Sequence, residues 1–286
     1  MKIETHFHQD SFTFTYIVYD ENTKDTVIID PVLDYYPNSS SWSTEAIDKI
    51  QSFLDENGLN LRLILDTHAH ADHLSGAQEL KKRYPDAPYG IGKEITQVQE
   101  TFKDIYNLKN LKTDGSQFDM LFEDGQLMEA GSLSFKVLHT PGHTPACYCY
   151  LIEDCLFTGD ALFMPDFGTG RCDFPKGSAE DLYETIHEKL YSLPDETRVF
   201  VGHDYRPGGR ELKYETSIGE SKVHNKQLKA GTSREEFIEF RKERDASLDA
   251  PRLLLPSIQV NIDGAKFPEL EDNGSRYLKI PLSKKD

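Results

Sequence analysis

Cysteine is scarce in this sequence and poorly spaced for a structural role. The four cysteines, Cys147, Cys149, Cys155 and Cys172, form no C-x-x-C pair, which argues against a zinc ribbon or a thioredoxin-like motif and predicts reduced, buried thiols. Basic residues are short as well. The 32 Lys and Arg stand against 49 Asp and Glu, a net charge of -17, which argues against nucleic acid or an anionic membrane as the main partner, since phosphate contacts need clustered cations. A small anionic substrate would need a local basic spot. No apolar run approaches bilayer length, and Met1 to Asp10 is polar and unlike a signal peptide, so a cytoplasmic location is expected. The single tryptophan, Trp42, stands in a serine-rich stretch and reads as a surface or lid residue.

What the sequence does contain is a chain of 286 residues, long enough for a substantial core. Phe12 to Tyr19 and Thr26 to Ile29 are rich in β-branched and aromatic residues around an Asp-Glu-Asn turn and read as an antiparallel pair. Thr44 to Glu56 has the apolar spacing of one helical face, with Ser43 or Thr44 as its N-cap. Leu61 to Leu65 is of strand length; helices follow over Ser75 to Tyr84 and Gly92 to Tyr106. From position 120 the signal changes to short strands, Gln126 to Ala130, Leu133 to His139, Cys147 to Ile152 and Cys155 to Thr158. A helix over Ala179 to Tyr191, a strand over Arg198 to Val201 and helices near Glu215 to Leu228 and Arg234 to Asp245 complete a second half. Two halves with strands first and helices after predict an α+β fold of two packed sheets with helices outside. Residues 1–250 read as one catalytic domain. The proline-bearing tail, 251–286, reads as an extended C-terminal arm packed on it.

Four of the ten histidines fall in two short runs, Thr67-His68-Ala69-His70-Ala71-Asp72-His73 and Thr140-Pro141-Gly142-His143. Imidazole and carboxylate hold borderline first-row metals, and so dense a cluster would be costly to bury without a ligand-binding purpose. Asp160, after Phe157-Thr158-Gly159, and His203, after Val201-Gly202, likewise stand just past apolar strands. Strand ends converging from two sheets would bring all of them together, as open α/β sheets commonly place their sites.

These segments resemble the metallo-β-lactamase superfamily, whose H-x-H-x-D-H signature is met by His68, His70, Asp72 and His73, with His143, Asp160 and His203 following in order. The resemblance implies an αββα sandwich. Within that superfamily, Pro-Gly-His-Thr, Gly-Asp, Gly-His-Asp-Tyr and the block Arg171-Cys172-Asp173-Phe174 are similar to glyoxalase II and, more closely, to persulfide dioxygenases. The dioxygenase resemblance implies one Fe(II) per chain on His68, His143 and Asp160, a triad with open positions for O2 and substrate. His70, Asp72, His73 and His203 would then support the ligands and carry protons, and the substrates would be glutathione persulfide and O2. The glyoxalase II alternative implies one or two Zn(II) per chain and a hydrolase of glutathione thioesters. There, His68, His70 and His143 would hold one metal, Asp72, His73 and His203 the other, with Asp160 between them.

The same resemblance assigns Arg171 and Tyr205 to substrate binding; the plainer readings are an ion pair of Arg171 with Asp166 or Asp173 and simple packing of the Tyr205 ring. Past Asn225 the resemblance offers only Lys226 and Lys229 as glutathione contacts. His6 and His8 read as ordinary strand residues, and His139 as a satisfied core histidine or a support of the site. The alternating charges of Arg234 to Asp245 read as a solvated helix face. For assembly the expectation is the commonest state, a homodimer.

Overall fold

The computed structural model describes residues 1–282. In chain order the first half runs β1 (Lys2–His8), β2 (Thr13–Tyr19), β3 (Asp25–Ile29), β4 (Val32–Tyr36), β5 (Ser41–Ser43), α1 (Glu45–Asn57), β6 (Asn60–Leu65) and β7 (Leu74–Ser75). It continues through α2 (Ala77–Arg83), β8 (Tyr89–Gly92), α3 (Ile95–Ile105) and β9 (Met120–Phe122). The second half opens with β10 (Leu127–Ala130), β11 (Leu133–His139), β12 (Tyr148–Ile152) and β13 (Cys155–Phe157). Then come α4 (Ala179–Glu184), extended by a π-helical stretch (Thr185–Leu190), β14 (Arg198–Phe200), β15 (Glu215–Ser217), α5 (Ile218–His224), α6 (Arg234–Ala246) and α7 (Leu254–Asn261).

Two six-stranded sheets result, ordered β1-β2-β3-β6-β8-β9 and β10-β11-β12-β13-β14-β15, with a small β5-β4-β7 sheet beside them. The two-residue period of a strand sorts side chains between layers. Phe14, Tyr16 and Val18 of β2 and Leu63 and Leu65 of β6 join Phe135, Val137, Tyr150 and Ile152 of the second sheet in one apolar cluster. Ile17, Ile28 and Ile64 turn the other way, onto Ile47, Ile50 and Leu54 of α1. Leu182, Ile218 and Phe237 bring α4, α5 and α6 onto the second sheet. The architecture is therefore the expected αββα sandwich, and each fully buried Leu, Ile or Phe adds about 1.5–3 kcal/mol to its stability.

Several local expectations are corrected by tertiary context. The serine-rich stretch around Trp42 pairs as a hairpin of β4 and β5, and Trp42 is 45% exposed, a surface residue as expected, its ring 5.2 Å from Phe267. Thr44 stands at the N-cap of α1 but its side chain does not cap; Asp34 of β4 instead accepts from the Ala46 N–H at 2.8 Å. Glu215–Ser217 is an edge strand on β14, and the helix begins only at Ile218, where Ser217 accepts from the Glu220 N–H. The tail is not wholly an extended arm. Its residues Leu254–Asn261 fold as α7, and Pro256 falls in that helix's first turn, where a missing N–H costs no hydrogen bond. Ile258, Val260 and Ile262 pack in the same cluster as α1–α3. Among the described residues no helix is long and apolar enough to cross a membrane.

Candidate metal centre

Four strand ends deliver the donors. The loop after β6 carries His68 to His73, the turn after β11 carries His143, and the segments after β13 and β14 carry Asp160 and His203. Two glycines make the approach possible. Gly142 has φ +140°, and a Cβ there would lie 2.5 Å from the Leu182 Cα; at Gly170 it would lie 1.9 Å from the Asp160 carbonyl oxygen.

The five histidines are buried, and Asp72 and Asp160 are largely so. Each histidine offers one nitrogen to a protein acceptor. His68 Nδ1 lies 3.0 Å from Thr67 Oγ1, whose own proton goes to Asp30 Oδ2 at 2.9 Å. His70 Nε2 donates to Asp30 Oδ1 (3.1 Å), His73 Nδ1 to the Leu74 carbonyl (3.1 Å), His143 Nδ1 to the Arg171 carbonyl (2.7 Å) and His203 Nδ1 to the Phe12 carbonyl (3.2 Å). These acceptors select the tautomer and turn the other nitrogen inward. As a result His68 Nε2, His70 Nδ1 and His73 Nε2 are buried with no hydrogen-bond partner among the described residues. Unpaired buried imidazole nitrogens beside carboxylates are the donor set of a first-row divalent metal, so the residues present fit one.

The donor atoms separate into groups whose members lie within 4.8 Å of one another: His68, His143 and Asp160; His70, Asp72 and His73; and Asp30, Asp66 and His70. Asp160 faces two ways, with Oδ2 3.5 Å from His143 Nε2 and Oδ1 3.1 Å from His203 Nε2. The latter pair has the distance of a hydrogen bond, but the atoms are not aligned for one. His203 Nε2 is also 3.5 Å from Asp72 Oδ2.

Charge follows this layout. Burial, then the charge of His70, pushes His68 well below the ordinary imidazole value and His73 down to about 3. Burial opposes a proton on His70 and His203 too, yet Asp30 and Asp66 raise the first to about 9, and Asp160 and Asp72 raise the second to about 10. Against burial, His203 and His143 hold the Asp160 carboxyl well below the usual range. Burial lifts Asp66, which accepts from the Tyr89 hydroxyl at 2.5 Å, to about 6.

A cleft of about 250 Å³ opens beside Asp160, walled by Phe163, Phe167 and Tyr205 and by Arg171, Arg241 and Arg244. A larger groove of about 710 Å³ lined by residues such as Met164 and Lys213 contains none of the histidines. Arg171 forks onto Asp173, Nε to Oδ1 at 2.5 Å and Nη2 to Oδ2 at 2.6 Å, and donates through Nη1 to the Asp249 carbonyl at 2.8 Å. Asp166 is taken instead by Arg210. Tyr205 is 40% exposed, stacks on His203 with ring centroids 5.5 Å apart, and meets Phe167 at 4.8 Å. Neither Lys226 nor Lys229 lines the cleft; Gln227 between them does.

The remaining histidines stand apart from the donor groups. His6 and His8 lie on β1, where His8 meets Ser11 and Asp34, and His139 Nε2 donates to the Pro145 carbonyl at 2.9 Å. All four cysteines are free and buried, and burial pushes the Cys172 thiol up to about 12. Asp30 and Thr67, which orient the histidines, and Asp66, whose charge acts on His70, are not anticipated from the sequence, nor are the α6 arginines of the cleft. Asp30 is a lone acid after a strand, and the α6 pattern is that of any solvated helix.

The family model of the Metallo-beta-lactamase superfamily matches residues 3–203. The chain belongs to the metallo-β-lactamase superfamily. It is similar to a protein named Glyoxylase B2 from Dictyostelium discoideum, 50% identical over 99% of this chain and 97% of that one. It is also similar to the human mitochondrial persulfide dioxygenase ETHE1, 33% identical over 70% of this chain and 66% of that one. Among solved structures, ETHE1 from Myxococcus xanthus superposes with a TM-score of 0.75 at 34% identity, covering 93% of this chain and all of that one. The superfamily is one of metalloenzymes, and its relatives divide between oxidising and hydrolase-type names.

Proposed function

We propose that this chain is a persulfide dioxygenase that holds one Fe(II) on His68, His143 and Asp160 and converts glutathione persulfide and O2 to glutathione and sulfite. The observation that carries this reading is the separation of those three donors as one group, two imidazoles and a carboxylate within 4.8 Å, supported by similarity to ETHE1 in sequence and fold. When bound, Fe(II) supplies redox-active Lewis acidity with coordination positions open to O2 and sulfur. The rest falls to the protein. The Arg171 carbonyl fixes the His143 ring through Nδ1, and Thr67 fixes His68. Phe163, Phe167 and Tyr205 line the approach with apolar surface that keeps bulk water off the sulfur. Three of the five Arg171 N–H groups are occupied, so two remain to meet a substrate carboxylate from a fixed position. Water enters the overall balance and protons leave with sulfite; His203, between Asp160 and Asp72, is placed to hold a proton at Nε2.

A second reading, a zinc hydrolase of glutathione thioesters, is favoured by the two-way Asp160 carboxylate, by the second donor group His70, Asp72 and His73, and by the similarity to Glyoxylase B2. Metal analysis of protein purified without added metal, combined with O2 uptake on glutathione persulfide, separates the two. The dioxygenase predicts iron near one per chain and O2 consumption. Stoichiometric zinc with rapid S-lactoylglutathione cleavage and no O2 uptake would sink it.

A further inference from the structure

The loop that carries His70, Asp72 and His73 is gripped by a residue almost two hundred positions later. Asn261 ends α7, is 1% exposed, and directs its amide onto this loop. Its Nδ2 donates to the carbonyls of His70 at 2.8 Å and His73 at 2.9 Å, while its Oδ1 accepts from the Ser75 N–H at 2.9 Å. Two carbonyls on one side and an N–H on the other fix which amide atom is nitrogen.

The loop needs such a partner. Its backbone is irregular and buried at His70 and His73, so no strand ladder satisfies those carbonyls, and a buried carbonyl without a donor is costly. Asn261 is itself placed from outside. Gln99 Nε2 donates to the Ile262 carbonyl and Gln78 Nε2 to the Gly264 carbonyl, both at 2.8 Å, tying the end of α7 to α3 and α2.

We propose that Asn261 is a positioning residue of the metal centre, setting through the two carbonyls where His70 Nδ1 and His73 Nε2 point. The inference rests on these histidines serving a metal, as direct ligands in the two-metal reading and, through the His70 ring packed 4.2 Å from that of His68, as a support of the ligand set in the one-metal reading. It assigns to residues beyond the 3–203 family match a part in assembling the site.

Co(II) titration of the full chain, followed by its visible absorption, is the test. Asn261→Ala should weaken Co(II) binding about tenfold or more and alter the band pattern, as loss of a group that orients ligands does. Ile258→Ala, in the same helix and without a bond to the loop, should lower the melting temperature but leave Co(II) affinity and spectrum as in the parent protein. Parent-like binding by Asn261→Ala, or equal weakening by Ile258→Ala, overturns the proposal. If Asn261→Ala does not fold, Asn261→Asp keeps the acceptor for Ser75 and removes both donors, and should show the same loss. A parent protein that takes up no Co(II) would sink the metal reading beneath the inference; one that binds Co(II) but consumes no O2 would sink only the dioxygenase reading.

Discussion

At the scale of single residues, function turns on which ring nitrogen each histidine spends on the protein. His68, His70 and His73 each give one to an acceptor and leave the other unpaired, a state that is costly to bury unless something binds there. In the one-metal reading His143→Ala and Asp160→Ala should abolish both iron retention and O2 uptake, whereas His73→Ala should keep one iron. Metal analysis of the three variants decides it, and equal loss in all three would favour a two-metal site. The cleft adds a second residue-scale expectation. Arg171 is neutralised by Asp173 and the buried Arg241 by Asp245, but among the described residues the Arg244 side chain has no ion pair. In so acidic a chain the unpaired Arg244 adds a charge for a substrate anion beside the two free N–H groups of Arg171. Arg244→Ala should raise KM for glutathione persulfide about tenfold, the worth of one charge-assisted hydrogen bond, with kcat little changed. An unchanged KM would remove Arg244 from recognition.

At the scale of elements, junctions hold the site's frame. The first turn of α1 is capped not from its own sequence but by Asp34 on β4, which also faces His8 at 3.4 Å. Burial opposes ionisation of Asp34, yet the His8 contact and the Ala46 N–H hold its carboxyl below the usual range. A depressed folded value means that the stabilisation is complete above the unfolded value of about 3.9 and is lost as pH falls through the folded value. Asp34→Asn keeps an acceptor for the Ala46 N–H and removes only the charge, so it should cost about 0.3–1 kcal/mol near neutral pH, the worth of a carboxylate at a helix N-terminus, and the gap between variant and parent should close in acid. Denaturant unfolding at several pH values checks both the size and the sign. A gap that persists at low pH would show that the carboxylate charge is not the source.

At the scale of the whole molecule, α7 is integrated with the first layer rather than laid over it. Ile258, Val260 and Ile262 are fully buried there, and three such side chains together are worth roughly 5 kcal/mol, a large part of the 5–15 kcal/mol that keeps a typical domain folded. A chain ending at Ala250 should lose solubility or melt far below the full chain; an unchanged melting temperature would contradict this. The long strands and helices were legible from residue order because period and propensity act locally: β11 spans Leu133 to His139 and α6 begins at Arg234 as read. The donors from His68 to His203 were legible too, since metal-binding chemistry leaves only a few residue types at characteristic spacings. The short strands β4, β5, β7, β8 and β9 were not, because their pairing partners, not their own composition, make them strands. The same holds for Asp30 behind His70, for Arg244 in the cleft and for Asn261 under the histidine loop. Local order carries the identity of the donors. Their grouping into a triad and a neighbouring set, and the partners that aim them, arise from contacts between residues far apart in the chain, which exist only once both sheets and all their helices have closed.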